Sequence, residues 1–135
     1  MAACLWAQLP SKARKVIYTK VNFGTNISEH ALPLDDASDH KLTQSFRIDV
    51  GHSSDPELDI AQEFVYEHGD TQPGDARYSG YSTYVVRNGD RVYLNWASSP
   101  LNKATVPDEP ATVGSGTIRI YGGTGRYKNI SGRGT

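Results

Sequence analysis

The sequence predicts an all-β fold, arranged as an antiparallel β-barrel, from three observations. Residues 42–50 (LTQSFRIDV) alternate with period two, as a half-buried strand does. Asn88-Gly89 lies between two β-rich runs and indicates a hairpin, because both residues accept positive φ. The other strand-like runs are short, and the chain has 13 glycines and 7 prolines to separate them. Short strands without a long helical pattern favour an antiparallel barrel or sandwich.

Length and composition indicate one globular domain spanning residues 1–135. The chain is 37% hydrophobic and 21% charged, which is typical of a folded protein rather than a disordered one. Its net charge of −1 argues against a general attraction to nucleic acid. No apolar run is long enough to span a membrane, and the single cysteine, Cys4, excludes an internal disulfide.

The N-terminal residues 1–14 are expected to form a flexible segment. Ala2-Ala3-Cys4 resembles the end of a bacterial lipoprotein cleavage box. A secreted or lipoprotein-derived protein is therefore one alternative and a cytoplasmic protein is the other, and the sequence leaves the compartment open.

The first half of the chain contains three predicted strands. Residues 15–23 (KVIYTKVNF) are rich in β-branched and aromatic residues, and residues 24–41 are predicted to form a long loop. Residues 42–50 form the alternating strand. Residues 58–67 (LDIAQEFVYE) fit both a strand and a helix, and a strand is favoured because the neighbouring segments are strands. Residues 68–75 are predicted to form another loop.

The second half of the chain begins with the predicted hairpin, whose arms are residues 78–87 (YSGYSTYVVR) and 91–97 (RVYLNWA). A proline-rich loop is expected over residues 98–113. A further strand is predicted over residues 114–121 (GSGTIRIY), and the last one begins near Tyr127.

The glycine-rich run at the C-terminus has three interpretations. A phosphate loop would need a following helix, and the Walker spacing is absent. A nucleic-acid site would use Arg119, Arg126, Lys128 and Arg133 beside two tyrosines, but the chain is slightly acidic. The third interpretation fits best: Gly122, Gly123 and Gly125 shape a reversal or bulge between two paired strands and bind no phosphate.

The same run carries a family resemblance. YGGTGRYKNISGRGT (residues 121–135) resembles the late hairpin of the allene oxide cyclase and dirigent group, in which a GGTGxYxxxxGxG pattern joins two barrel strands. The preceding GYSTYVVRNGDRVYLNW also suits that group, whereas the first half of the chain carries no matching motif. The resemblance implies a calycin-like, allene oxide cyclase-type barrel. The family's strand would continue beyond Gly134, so we expect a barrel that is incomplete at the C-terminus or that closes by another route.

The apolar strand positions are expected to face the interior of this barrel: Phe46, Ile48, Phe64, Tyr66, Tyr84, Val92, Leu94, Trp96 and Ile118. Trp96 is predicted to be buried across the barrel axis from Phe46 or Phe64. The carboxylates of Glu63 and Glu67 are predicted to face solvent, because they alternate with the apolar positions; in the lumen, Glu63 would instead be a desolvated acid or base. The residues expected to contact a ligand in the lumen are Gln44, Phe46, Gln62, Phe64, Tyr66, Ser82, Tyr84 and Trp96.

These features lead to three functional hypotheses. The first is a binding barrel that holds a small apolar or aromatic molecule. The second, implied by the resemblance, is a cyclase or isomerase that steers a reactive intermediate by confinement, for which no catalytic residue is identified. The third is a homo-oligomeric structural module with tyrosines at its interface. No cofactor or nucleic-acid partner is expected. No metal site is expected either, since the four histidines lack metal-ligand spacing.

Overall fold

The fold is one large antiparallel sheet with a second, two-stranded sheet. The computed structural model describes residues 20–53, 60–98, 102–103, 112–113 and 116–135. Within these residues there is no α-helix, and the elements are β1 (Lys20–Pro33), β2 (Lys41–Ser53), β3 (Ile60–Gln72), β4 (Asp75–Val86), β5 (Arg91–Ser98), β6 (Asn102–Lys103), β7 (Thr112–Val113), β8 (Gly116–Gly123), a 3-10 turn (Gly125–Tyr127) and β9 (Gly132–Gly134). The main sheet has the order β1-β2-β3-β4-β5-β8-β9, and β6 pairs with β7.

The prediction of an all-β, antiparallel architecture is confirmed. Every neighbouring pair in the main sheet is antiparallel. Among the described residues β1 and β9 are the two ends of the strand order, so the sheet is not closed into a barrel. Closure and the calycin-like type therefore stay predictions.

The strand predictions at the centre of the sheet are confirmed. The alternating residues 42–50 lie in β2, the ambiguous segment 58–67 contributes to the strand β3, and the turn at Asn88-Gly89 joins β4 to β5. Residues 54–59, the N-terminal segment 1–14 and most of the proline-rich stretch 98–113 lie outside the described residues.

Two predicted loops are shorter than expected: of residues 24–41 only 34–40 form a loop, and of residues 68–75 only 73–74 form a turn. Residues 24–33 belong to β1, which pairs with β2 along its whole length. Its polar, turn-like composition is tolerated because, among the described strands, β1 lies at the edge of the sheet and pairs on one side only. Residues 68–72 extend β3, so the turn before β4 shrinks to Pro73-Gly74. In both places pairing with a long neighbouring strand overrides the local turn propensity.

The sheet has two contrasting faces, named here the buried face and the exposed face. Val65, Ser82 and Leu94 are cross-strand partners on the buried face, and each is 1% exposed. Tyr66 and Tyr81 are partners on the exposed face, and each is 54% exposed. Because side chains alternate along a strand, these two rows define the faces throughout β3 to β5.

The hydrophobic core lies on the buried face towards β4, β5 and β8. Its buried members are Ile60, Tyr84, Val86, Val92, Leu94 and Tyr127, with Trp96, Ile118, Ile120 and Ile130 packed against them. Tyr127 and Ile130 come from the connection between β8 and β9, so this connection covers one end of the core. Burial of these side chains is the main stabilising contribution of that region.

The set of residues predicted to face inward divides between the two faces. Tyr84, Val92, Leu94, Trp96 and Ile118 belong to the core or pack against it. Phe46, Ile48, Phe64 and Tyr66 project from the opposite face, so the predicted pairing of Trp96 with Phe46 or Phe64 across a barrel axis is wrong. Alternation shows which residues share a face of one strand, but it does not show which face another element covers.

The chain reverses between β8 and β9 as the glycine motif predicts. Gly122 and Gly123 end β8 beside a register shift opposite Tyr93 and Leu94, and Gly125 has a φ of 50° at the start of the 3-10 turn. Tyr127, predicted to begin the last strand, is instead 5% exposed within that turn. β9 then pairs with β8 from Gly132 to Gly134.

Candidate ligand-binding grooves

The exposed face carries a groove of about 890 Å³ that crosses the sheet from β3 to β9. One wall is a cross-strand row formed by Tyr81, Asn95, Arg119 and Arg133. The next row of side chains on the same face supplies the other, lower wall. It begins at His68 and continues with Ser79, Ala97 and Thr117. The groove therefore runs between a row of long side chains and a row of mostly short ones.

The floor of this groove is the backbone of the row between the two walls. Gly80 has no side chain, and the side chains of Trp96 and Ile118 pack against the core on the buried face. The floor therefore presents main-chain atoms, whereas the high wall presents one phenol, one amide and two guanidinium groups.

A second groove of about 370 Å³ lies between β1, β2 and β3 on the same face. The rings of Phe46 and Tyr66 stack at its side, with their centroids 4.7 Å apart. His30 and Gln44 supply polar groups, and His68 lines both grooves. The two grooves therefore adjoin at His68.

The structure brings three of the eight predicted ligand contacts together: Gln44, Phe46 and Tyr66 line the second groove. Gln62 and Phe64 lie on the exposed face but line neither groove, as their register with β2 and β4 shows. The other three, Ser82, Tyr84 and Trp96, lie on the buried face, where Trp96 Nε1 donates a hydrogen bond to Ser82 Oγ at 3.2 Å.

Sequence reasoning missed several groove residues, above all His30, His68 and Asn95. A signal for Asn95 was present, because it alternates with Leu94 and Trp96 and must face away from them. The histidines lay in segments predicted as loops, so their alternation within β1 and β3 was not recognised.

The buried face also carries charged groups on β2 and β3. Asp49 and Glu63 are cross-strand partners and are 4% and 6% exposed. Arg47 Nε lies 3.1 Å from Asp49 Oδ1, and Arg47 Nη1 lies 3.3 Å from Glu67 Oε2. The prediction that Glu63 and Glu67 face solvent is therefore wrong. Arg47 compensates part of the negative charge, which would otherwise be costly to bury.

A separate ionic cluster joins the loop after β1 to the end of β3. His40 Nδ1 lies 2.7 Å from Asp36 Oδ1, and His40 Nε2 lies 2.8 Å from Asp70 Oδ1. The hydrogen bonds to Asp70 and Asp36 raise the pKa of His40 above its usual value. Neither this cluster nor any other set of His, Cys, Asp and Glu side chains in the described part of the chain forms a metal site.

The fold and the grooves together define an all-β protein with an open antiparallel sheet and an aromatic, partly cationic exposed face. The described residues include no helix with the length and hydropathy needed to cross a membrane. Comparison with protein-family models, with curated proteins and with solved structures finds no match to this chain.

Proposed function

We propose that this protein binds a small aromatic or apolar molecule in the grooves of its exposed face. The observation that carries the proposal is the stacked pair of Phe46 and Tyr66 at the side of a groove that also contains Gln44 and His30. Concave sites that combine aromatic side chains with a few polar groups are the usual setting for small-molecule binding.

The exposure of the aromatic wall supports this assignment. Tyr66 is 54% exposed, so a ligand ring placed against it would remove apolar surface from water. Aromatic pairs gain about 0.5–1.5 kcal/mol beyond that burial through offset or edge-to-face contact. The amide of Gln44 and the imidazole of His30 can fix the orientation of a polar substituent.

The proposal moves the ligand from a barrel lumen to the sheet surface. The core residues of the buried face are closely covered, with Val65, Leu94 and Ser82 each 1% exposed. Side chains buried to this degree are available to a ligand only after a rearrangement, whereas Tyr66 and Gln44 are accessible as they stand.

Titration with 4-methylphenol, a neutral aromatic probe, tests the proposal by chemical-shift mapping. We expect shifts at groove residues and a loss of about tenfold in affinity for Tyr66→Ala, since about 1.4 kcal/mol corresponds to that factor. Tyr121→Ala is the matched control, because Tyr121 is 51% exposed but lines neither groove. Equal losses in both variants, or no binding by the wild type at millimolar probe, would contradict the proposal.

A second candidate function is an isomerase or cyclase that uses proton transfer. Asp49, Glu63 and Tyr84 are consecutive cross-strand partners on β2, β3 and β4, and all three are buried. A row of two carboxyl groups and a phenol contains acid and base groups in one strip, which a substrate would reach only after the buried face rearranges. Deuterium exchange into cyclohexanone, followed by NMR, tests this candidate. The wild type should exchange faster than the uncatalysed reaction, folded Glu63→Gln should lose this acceleration, and Glu67→Gln should retain part of it.

The exposed face also favours the third candidate, a homo-oligomeric module. Leu32, Leu42 and Val50 are 60%, 41% and 51% exposed, and Leu32 and Leu42 are cross-strand partners. Exposed apolar patches of this kind occur at contacts between protein molecules. Sedimentation of the wild type and of Leu42→Asp tests this alternative, and a concentration-independent monomer for both proteins would exclude it.

A further inference from the structure

A pair of neighbouring arginines lies at one end of the large groove. Arg119 on β8 and Arg133 on β9 are direct register partners and lie on the same wall. Both residues are exposed, and within the described residues neither takes part in an ion pair. Like charges placed directly opposite each other on a sheet are destabilising.

The surroundings of the pair do not relieve this repulsion. Of the residues that the structure describes, no Asp or Glu side chain lines the large groove, and the nearest members of the same wall, Asn95 and Tyr81, are neutral. Two planar guanidinium groups side by side are suited to the oxygen atoms of a carboxylate, phosphate or sulfate, which they can bind in a fork geometry. An anion bound between the two guanidinium groups would be attracted to both and would offset their mutual repulsion.

The order of residues along the wall limits the size of the ligand. Tyr81, Asn95, Arg119 and Arg133 follow one another across β4, β5, β8 and β9. Neighbouring strands are about 4.8 Å apart, so Tyr81 and Arg119 are separated by about 10 Å at the backbone. An arginine side chain is long enough to span part of this distance. A single ring stacked on Tyr81 would therefore place a directly attached anionic group near Arg119.

We infer that the large groove binds an aromatic anion, with its ring against Tyr81 and its oxyanion held by Arg119 and Arg133. This inference rests on the proposed function and adds to it the charge of the ligand and the residues that recognise that charge. The distribution of charge disfavours a long polyanion. Among the described residues that line the two grooves, the arginines are confined to the β8–β9 end, whereas the β1–β3 end presents Phe46, Tyr66 and Gln44. The whole chain has a net charge of −1.

The test compares 4-hydroxybenzoate with 4-hydroxybenzamide, two probes that differ mainly in charge. Wild-type protein is expected to bind the carboxylate about tenfold to a hundredfold more tightly, the range that corresponds to charge-assisted hydrogen bonds. The variant carrying both Arg119→Gln and Arg133→Gln should bind the two probes equally. Arg91→Gln is the matched control. This exposed arginine lies on the same face and lines neither groove, and it is two side-chain rows of that face away from the pair.

Each outcome decides between defined alternatives. Equal binding of both probes by the wild type, or an unchanged preference in the double variant, overturns the anion inference while the proposed function stands. Absence of binding for both probes overturns both the anion inference and the proposed function. Phenyl phosphate identifies the preferred oxyanion, and preference for either anion supports the inference. A single-stranded oligonucleotide that binds more tightly than both small anions, with a steep salt dependence, would overturn it in favour of nucleic acid.

Circular dichroism and melting of each variant establish that it is folded. Arg119→Lys and Arg133→Lys provide a second pair of variants, which keep the charge and remove the fork. These should retain a preference for the carboxylate that is weaker than that of the wild type. A full preference in the lysine variants together with none in the glutamine variants would indicate charge alone, and would overturn the fork geometry proposed for the pair.

Discussion

The carboxylate of Asp90 occupies the space that a side chain on Gly125 would need. Asp90 Oδ2 accepts a hydrogen bond from the amide of Arg126 at 3.2 Å, and the amide of Asp90 donates to Asn88 Oδ1 at 2.9 Å. A single aspartate thus links the β4–β5 hairpin to the connection between β8 and β9. The amide of Arg126, which a phosphate cradle would need, already binds a carboxylate, and this favours a structural role for the glycine motif.

Gly125→Ala is expected to destabilise the protein. Gly125 has a φ of 50°, and a methyl group there would collide with Asp90. The left-handed conformation alone costs a residue other than glycine roughly 1–3 kcal/mol, and displacement of Asp90 would add to this. Urea unfolding monitored by circular dichroism measures the change in the free energy of unfolding.

Gly122→Ala is the control for that prediction. A methyl group on Gly122 would meet no atom within 4 Å, and its φ lies outside the left-handed region. Its free energy of unfolding should stay within about 0.5 kcal/mol of the wild type. Equal destabilisation by the two substitutions would show that neither the contact with Asp90 nor the left-handed conformation of Gly125 causes the loss.

Ser82→Ala should destabilise the core through the loss of a hydrogen bond to Trp96. The indole nitrogen of Trp96 donates to Ser82 Oγ at 3.2 Å, and Ser82 is 1% exposed. We expect a loss of about 1 kcal/mol, whereas Trp96→Ala should cost about 3 kcal/mol because it also removes packing against the core. Ser79→Ala, on the exposed face of the same strand, is the control and should change stability little. A double-mutant cycle with Trp96→Phe isolates the hydrogen bond, and zero coupling would contradict it.

The sequence predicted the elements of the sheet better than the assignment of its faces. Alternation over residues 42–50 and the Asn88-Gly89 turn locate β2 and the β4–β5 hairpin, since both signals are local. The assignment of faces failed on β2 and β3, where Phe46 and Tyr66 alternate with the buried residues Asp49 and Val65. The hydrophobicity of the side chains predicted that the aromatic face of β2 and β3 is buried, whereas the folded chain buries the face that carries the charged residues. Which side becomes covered depends on contacts distant in sequence.

The candidate grooves could be predicted in part for the same reason. Gln44, Phe46 and Tyr66 were selected together because they share one side of neighbouring strands, and they do line one groove. The large groove required the register of five strands, including the pairing of Arg119 with Arg133 across a reversal. Residue spacing along the chain does not encode that register, because the bulge opposite Tyr93 and Leu94 shifts it.

Arg119→Gln is expected to raise the stability of the unliganded protein. The substitution removes one of two like charges that are direct partners on β8 and β9, and such pairs are unfavourable by roughly 0.2–1 kcal/mol. The gain should shrink at high salt, because exposed charges are screened. Urea unfolding at low and high ionic strength measures it, with Arg91→Gln as the control. A loss of stability at low salt would mean that Arg119 makes a favourable contact in the folded state.

His40 should make stability depend on pH near neutrality. Both of its ring nitrogens face carboxylate oxygens, at 2.7 Å for Asp36 and 2.8 Å for Asp70, and carboxylates only accept hydrogen bonds. Both contacts therefore need the doubly protonated ring, and the hydrogen bond to Asp70, followed by that to Asp36, raises the pKa of His40 above its usual value of 6.5.

A folded state that holds this proton more tightly than the unfolded state is stabilised by it. The contribution of His40 is fully present below the unfolded pKa of about 6.5 and is lost as the pH rises through the higher folded pKa.

The measurable quantity is the difference in the free energy of unfolding between the wild type and His40→Gln, taken from urea titrations at a series of pH values. This difference should be largest in the acidic part of the range, while the carboxylates are still ionised, and should decline above pH 6.5. His30→Gln, which replaces an exposed histidine without a carboxylate contact in the described structure, is the control for the loss of a histidine side chain. A difference for His40→Gln that is constant with pH would mean that His40 stabilises the β1–β2 connection as a neutral ring, with only one of its two carboxylate contacts formed.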